Sequence, residues 1–230
     1  MRSTKRQARN AALLYLLMLI VGLPGLILVP ARLIVDGDAG ATAGHIRAAM
    51  TLFRFGIASE LAYPVMFLFV ALALRRLFES VGKGAAAALV ALVLVSVPIV
   101  VFNVVSELGA AILVGSPGEA PPFTRSQLDS LAYLLIRLHD KGLGVTWVFW
   151  ALWLVPFGIL VIRSGFLPRI LGVLLLIAAA ADLARAAISV FPSLVGLERA
   201  AGLLALGEPP IILWMLIWGF LPERPARDLR

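Results

Sequence analysis

The stretch Gly84–Val105, GAAAALVALVLVSVPIVVFNVV, contains no charged residue and decides the fold class. As an α-helix it would be about 33 Å long, slightly more than the roughly 30 Å hydrocarbon core of a bilayer. In hydrocarbon every backbone N–H and C=O needs an internal partner, and a continuous apolar run finds one as a helix rather than as a barrel strand. We therefore predict that this stretch spans a membrane as a helix.

Five further apolar stretches of similar length share the chain with it, each bounded by charge, glycine or proline. The chain is 61% apolar with a mean hydropathy of +1.00, which excludes an ordinary soluble domain. We predict an all-α integral membrane bundle of six transmembrane helices, forming a single membrane domain over residues 1–230. The predicted spans are residues 11–29, 49–74, 84–105, 142–162, 168–190 and 203–221.

Basic residues collect on one side of this predicted bundle. Loops rich in lysine and arginine stay in the cytoplasm, so both the N-terminus and the C-terminus are predicted to be cytoplasmic. Arginine far outnumbers lysine and alanine is abundant, which suggests a GC-rich bacterium and hence the bacterial cytoplasmic (inner) membrane. The basic residues concerned are Arg2, Lys5, Arg6, Arg9, Arg75, Arg76, Lys83, Arg163, Arg169, Arg224, Arg227 and Arg230.

The net charge of +7 does not indicate a nucleic-acid partner. A nucleic-acid binder clusters its basic residues on one exposed face, whereas here they punctuate apolar segments. The expected partner is the lipid bilayer.

An amphipathic segment precedes span four. Between Ser126 and Lys141 leucines recur at helical spacing, opposite polar residues such as Asp129 and Arg137. Two placements fit this pattern: a helix on the outer membrane face, or an outward extension of span four.

Three acidic residues lie inside the predicted spans at a similar depth: Glu60, Asp182 and Glu208. Each lies about 20–24 Å along its helix from the nearest cytoplasmic charge, which places it roughly 6–10 Å below the outer boundary of the hydrocarbon. Charged groups inside a bilayer are costly and are candidates for function. We expect these acids to converge on one outward-open polar pocket.

Basic and titratable groups are expected at the same level, with arginines as counter-charges and a histidine above the acids. The predicted ligand-binding residues are therefore Arg54, Glu60, His139, Asp182, Arg185 and Glu208. His45 is expected in a solvated outer loop.

Prolines lie beside two of the three acids. Pro64 follows Glu60 by four positions and displaces the helical bond to its carbonyl, while Glu208 directly precedes Pro209 and Pro210. We expect both helices to be kinked or interrupted at this depth, as happens where helices line a polar cavity.

A purely structural interpretation stays open. Asp182 and Arg185, three positions apart on one helix, would form an ion pair, and Glu60 would pair with Arg54 or Arg137.

Metal and cofactor sites are not indicated. The chain has no cysteine, and its acids and His139 have suitable ligand types but no close-spaced motif such as H-E-x-x-H. We assign no metal and no cofactor.

Several stretches resemble a known family. They are Ala12–Tyr15, Leu52–Ala58, Leu138–His139, the turn and helix start from Ser164 to Gly172, and Gly207–Glu208 followed by Leu213–Trp214. These are similar to a bacterial family of multi-pass membrane proteins catalogued as a domain of unknown function, number 4386. The resemblance implies a six-helix membrane protein and supplies no activity.

We predict a protein that binds a small polar ligand or ion in an outward-facing pocket between helices two, four, five and six. Transport of that ligand across the membrane is one form of this prediction. One alternative is a membrane-embedded enzyme that uses His139 and a carboxylate on a lipid or small substrate. Another is a non-catalytic subunit or scaffold.

Transport predicts an inward route past Arg163 and Arg75, catalysis predicts a histidine–carboxylate contact, and a scaffold predicts closed ion pairs without a cavity. The oligomeric state does not follow from the sequence.

Overall fold

The computed structural model of the protein describes residues 2–115, 123–191, 193, 196, 198–204 and 207–220, and this part contains no strand. Six of its helical segments are long and apolar enough to cross a membrane, so the six-span prediction is confirmed. The helices are α1 (Arg2–Leu23), a π-helical segment (Pro24–Leu28), α2 (Val29–Leu33), α3 (Ala39–Ala48), α4 (Met50–Phe78), α5 (Lys83–Gly115), α6 (Arg125–Ser164), α7 (Arg169–Val190), α8 (Glu198–Leu204) and α9 (Glu208–Phe220).

Helices α5 and α6 extend ten or more residues beyond the spans predicted from the sequence. Helix α5 continues past the predicted end at Val105 to Gly115. Helix α6 has 40 residues and includes the whole amphipathic segment, which is therefore an extension of span four. At about 60 Å, α6 is roughly twice as long as the hydrocarbon core is thick.

The start and the end of α6 follow from local sequence. Thr124 and Gln127 form a reciprocal capping box that satisfies backbone N–H groups in the first turn. The helix ends where Gly165 takes a left-handed conformation with φ of 70°, which glycine adopts readily because it has no Cβ atom. Helix α7 then begins at Arg169, immediately after Pro168.

The extension of α6 packs its polar face against α3 and the segment before it. Arg47 and Asp129 form an ion pair at 2.6 Å, and Arg137 lies 3.2 Å from Asp36. Arg137 is therefore not the partner of Glu60 that the structural interpretation offered. The amphipathic pattern of this extension therefore arises from contact between helices and not from a helix that lies on the membrane surface.

Apolar side chains form two cores along the bundle. One is aromatic and centres on Trp153 and Phe157, and the other contains Phe53 and Ile136. On α4 the boundary between the cores falls between Ile57 and Tyr63, and Glu60 lies within that interval.

Close helix contacts depend on glycine at two crossings. A Cβ atom at Gly25 would lie 2.6 Å from the carbonyl oxygen of Gly56, so α4 meets the π-helical segment backbone to backbone. Likewise a Cβ at Gly172 would lie 2.6 Å from the carbonyl oxygen of Gly158, where α6 crosses α7. Larger residues at these positions would force the helices apart.

The chain begins and ends its spans at the same end of the bundle. The ammonium group of Lys5 lies 5.7 Å from the Trp218 ring centroid, which joins the start of α1 to the last turn of α9. We refer to this end as the termini end. Its cytoplasmic placement stays a prediction. Residues 116–122 and 221–230, the latter with the basic residues Arg224, Arg227 and Arg230, lie outside the described residues.

The proline predictions have different outcomes. Helix α4 runs as one helix from Met50 to Phe78 with Pro64 inside it, so it is not interrupted. A kink of this helix at Pro64 stays a prediction. Near Glu208, α8 is described to Leu204 and α9 from Glu208, so an interruption there stays a prediction. Residues 205 and 206 lie outside the described part.

Candidate functional site

Three buried titratable side chains from three helices meet at one point. Glu60 comes from α4, Glu107 from α5 and His139 from α6. The His139 Nε2 atom lies 2.7 Å from Glu60 Oε1, within hydrogen-bond distance. The His139 Nδ1 atom lies 4.0 Å from Glu107 Oε1, close enough for attraction but too far for a hydrogen bond. We call these three residues the buried triad.

The buried triad is enclosed. Glu60 is 0% exposed, Glu107 5% and His139 6%. The second carboxylate oxygens of Glu60 and Glu107 have no hydrogen-bond partner among the described residues. Buried carboxylate oxygens are normally paired, so these two acceptors mark the triad as able to take a further donor or cation.

With both carboxylates ionised, the charge of the triad does not balance. Two carboxylates and one imidazolium leave one negative charge, and a neutral imidazole leaves two. An uncompensated buried charge costs several kcal/mol, on the order of 3–5 when one partner of a pair is missing. The triad therefore requires one additional cation, whether a proton or a metal ion.

Asn103 fixes α5 against α6 beside the triad. Its Nδ2 donates to the backbone carbonyl oxygen of His139 at 2.9 Å. Asn103 precedes Glu107 by four residues, so both side chains lie on the same face of α5. The contact needs Gly142, because a Cβ at that position would lie 1.9 Å from Asn103 Oδ1. This arrangement orients the backbone that carries the imidazole.

The π-helical segment closes the other side of the triad. The hydroxyl group of Ser59, next to Glu60, donates to the Val21 carbonyl oxygen and accepts from the Gly25 N–H at 3.1 Å. The Ser59 hydroxyl thus lies between the Val21 carbonyl and the Gly25 N–H, which would bond to each other in a regular α-helix. Such an insertion is common where a π-bulge forms. A Cβ at Gly25 would lie 3.0 Å from Glu60 Cβ, so glycine lets the segment approach the acid.

Asp182 and Arg185 form a separate contact on α7. Their side chains approach to 3.3 Å, and the Arg185 guanidinium lies 4.0 Å from the centroid of the Trp147 ring. This is the ion pair of the structural interpretation. It contains one charge of each sign and carries no excess.

The other predicted site residues do not join the triad. Arg54 is exposed on α4 and forms no ion pair with any described residue. Glu208 is half-buried at the start of α9, where Gly207 packs against Leu174 and Ala178 of α7.

The predicted shared pocket concerns three acids: Glu60, Asp182 and Glu208. Among the described residues, no hydrogen bond or ion pair joins Glu60 to Asp182 or Glu208. Convergence of all three acids on one outward-open pocket stays a prediction.

Glu107 is the residue that sequence reasoning missed. The predicted span ended at Val105 because Ser106 and Glu107 follow it. The overlooked signal is that the residues after Glu107, from Leu108 to Val114, are again apolar apart from one glycine. An acid with apolar sequence on both sides belongs inside the bundle rather than at its end.

The donor types of the triad suit a metal ion. One nitrogen and two carboxylate oxygens, one from each residue, all lie within 4.8 Å of one another. Imidazole with carboxylate is a common ligand set for Zn²⁺ and related divalent ions, and three protein ligands leave a further coordination position open. The three side chains come from three helices, so no close-spaced sequence motif joins them.

The triad lies towards the end of the bundle opposite the termini. Glu107 is about 36 Å along α5 from Lys83, and His139 is about 37 Å along α6 from Ser164. The hydrocarbon core is about 30 Å thick, so the triad lies near its far boundary. An ion would therefore cross a short distance of protein rather than half a bilayer.

A helical bundle with six membrane-length helices and an intramembrane acid–histidine cluster defines a multi-pass membrane protein. Over residues 11–219 the chain matches the family described as "Domain of unknown function (DUF4386)", and it belongs to that family. The resemblance noted from the sequence is confirmed. No curated protein and no solved structure matches the chain.

Proposed function

We propose that this membrane protein binds one divalent metal ion of the Zn²⁺ class at Glu60, Glu107 and His139. The observation that carries the proposal is the meeting of two buried carboxylates and one imidazole with ligand atoms within 4.8 Å of one another, together with the two carboxylate oxygens that lack partners. A single cation at this point supplies both the missing charge and the missing contacts.

The ligand types favour a transition metal over Mg²⁺ or Ca²⁺. Imidazole nitrogen is a good ligand for Zn²⁺, Fe²⁺ and Ni²⁺, whereas Mg²⁺ and Ca²⁺ take oxygen ligands almost exclusively. The enclosed position admits an ion or a water molecule more readily than an organic molecule, since all three side chains are buried.

A proton and a metal ion compete for the same position. The Glu60–His139 contact of 2.7 Å is a hydrogen bond that holds one proton. Around a tetrahedral ion with bonds of about 2.0–2.1 Å, ligand atoms are roughly 3.3 Å apart, so the two side chains separate slightly. Metal binding therefore releases the shared proton, and affinity falls as the solution becomes more acidic.

The experiment measures Zn²⁺ binding to the full-length protein in detergent by calorimetry, in buffers of different ionisation enthalpy. The chain has two histidines, so His45→Gln, at an exposed position, is a matched control for His139→Gln. We expect one Zn²⁺ per chain, proton release on binding, and affinity at least about 100-fold weaker in the His139 variant.

Glu107→Gln tests the same site with a smaller change of shape, with the exposed acid Glu79→Gln as its control. Absence of Zn²⁺ binding in the wild-type protein would overturn the proposal. Equal losses in the His45 and His139 variants would also overturn it.

A second candidate function is a membrane-embedded enzyme. The histidine–carboxylate contact that this class predicts is observed at 2.7 Å between His139 and Glu60. In that role Glu60 would orient the imidazole through this hydrogen bond, and the imidazole would act as a general acid or base. Its test is the consumption of radiolabelled membrane lipid in proteoliposomes, which His139→Gln should abolish and His45→Gln should preserve.

We also propose that the chain is one membrane domain in the bacterial inner membrane, with its termini in the cytoplasm. Support comes from the distribution of basic residues and from the shared end of α1 and α9. With this orientation the metal ion reaches the triad from the outer side.

A further inference from the structure

A polar pocket opens at the termini end of the bundle, at the opposite end from the buried triad. Its volume is about 800 Å³. Three segments form it: the first turns of α1, the connection between α4 and α5, and the connection between α6 and α7. The pocket is far larger than a single ion, so its natural occupant is a molecule or a headgroup.

Three cations line this pocket: Arg76, Lys83 and Arg163. None of them forms an ion pair with another residue in the part of the chain that the structure describes. The one acid in the described lining, Glu79, has its carboxylate 3.9 Å from Arg75 instead. The lining therefore carries a net charge of about +2, and no described acid neutralises it.

Neutral donors supplement these cations. The side chains of Thr4, Gln7 and Ser80 line the same pocket. Helix α5 also begins here at Lys83, and Gly82 before it has no side chain to cap the first N–H groups. The positive end of a 33-residue helix thus adds to the field of the three cations.

We propose that this pocket binds a phosphate group, carried either by an anionic lipid headgroup or by a soluble phosphate compound. Converging arginine and lysine with hydroxyl and amide donors is the arrangement that recognises phosphate. Basic pockets between membrane helices on the cytoplasmic side bind anionic headgroups in this way. The proposal is independent of the metal site, because the two sites share no residue.

The test uses the full-length protein in a neutral detergent. Its midpoint of thermal unfolding is followed while phosphatidylglycerol, phosphatidylcholine or inorganic phosphate is added, with ionic strength held constant by chloride. We expect saturable stabilisation by phosphatidylglycerol and none by phosphatidylcholine. Stabilisation by inorganic phosphate as well would identify a soluble source, and stabilisation by the lipid alone would identify a headgroup. If neither stabilises the protein, the proposal fails.

Two double variants separate the pocket from the general charge of this end. R76Q/R163Q removes two charges from the pocket, and R6Q/R169Q removes two exposed charges that do not line it. A charged hydrogen bond contributes about 1.5 kcal/mol or more, so we expect roughly tenfold weaker binding for each pocket arginine removed. The R6Q/R169Q variant should bind within about twofold of wild type.

A smaller change covers the case in which R76Q/R163Q does not fold. Lys83→Gln should weaken phosphate binding roughly tenfold, whereas Lys141→Gln, near the triad, should leave it unchanged. Equal effects of the pocket and control variants would show that only overall charge matters and would overturn the proposal.

Discussion

The buried triad and the Asp182–Arg185 pair are both charged contacts within the bundle, yet they differ in two respects. The pair balances its charges and its arginine is 32% exposed, while the triad has an excess of acid and its side chains are at most 7% exposed. A balanced, partly exposed pair requires nothing further. An unbalanced enclosed cluster requires a cation, and this difference separates a structural contact from a candidate site.

The first prediction breaks the triad by removing its basic member. In His139→Ala two buried carboxylates lose their shared partner, so we expect a loss of about 3–5 kcal/mol in the free energy of unfolding. Equilibrium unfolding in mixed micelles measures this loss. His45→Ala, at an exposed position, should change stability by less than about 0.5 kcal/mol. Similar losses in both variants would contradict the importance of the buried contacts.

The second prediction removes the whole triad at once. Replacing a buried charged cluster by apolar residues of similar volume is often neutral or stabilising by about 1–4 kcal/mol. The variant E60M/E107M/H139L should therefore be at least as stable as wild type, while binding no Zn²⁺. If the triple variant unfolds as readily as His139→Ala, the triad has a structural role that the charge comparison does not capture.

The third prediction concerns the support around Glu60. In Ser59→Ala the Gly25 N–H and the Val21 carbonyl both lose the hydroxyl that joins them. We expect a loss of about 1–3 kcal/mol, because unsatisfied buried groups keep their desolvation cost. Ser96→Ala is the control, since the Ser96 hydroxyl bonds to a carbonyl of its own helix, that of Val93. The two losses should differ clearly in micellar unfolding.

The smallest effect is expected for the balanced pair. The variant D182N/R185M removes both charges of the pair and the contact with the Trp147 ring without leaving the buried Asp182 carboxylate unpaired, so stability should fall by about 1 kcal/mol or less. Zn²⁺ affinity should not change. A large fall in Zn²⁺ affinity in this variant would show that the pair and the triad act as one site.

Helix α5 illustrates which features of the fold can be predicted from the sequence pattern and which cannot. Its apolar run from Gly84 to Val105 was sufficient to predict a span, because a run of that length cannot leave its backbone groups unpaired in lipid. The helix itself continues to Gly115, ten residues past the predicted end of the span, because two polar residues at 106 and 107 do not end a helix. Glu107 faces a histidine on the next helix, and no local pattern on α5 reports that.

The candidate site was partly predictable for the same reason. Glu60 and His139 were predicted from their depth, counted along each helix at a fixed rise per residue. The depth of a residue follows from its position along one helix. The direction and the neighbours of its side chain depend on how that helix is rotated relative to the other helices. Asp182 and Glu208 are predicted at the depth of Glu60 and Arg54 just above it, yet none of the three forms a hydrogen bond or ion pair with Glu60 among the described residues.

By itself the sequence determined that this chain is a six-helix membrane protein, since hydropathy and length act within each segment. The tertiary structure alone decided which polar groups meet. Close packing at Gly25 and Gly56 and the Asn103 contact to the His139 carbonyl set the rotation of α4, α5 and α6. That rotation places Glu107 opposite His139, because contacts between side chains on different helices depend on packing angles that no single segment encodes.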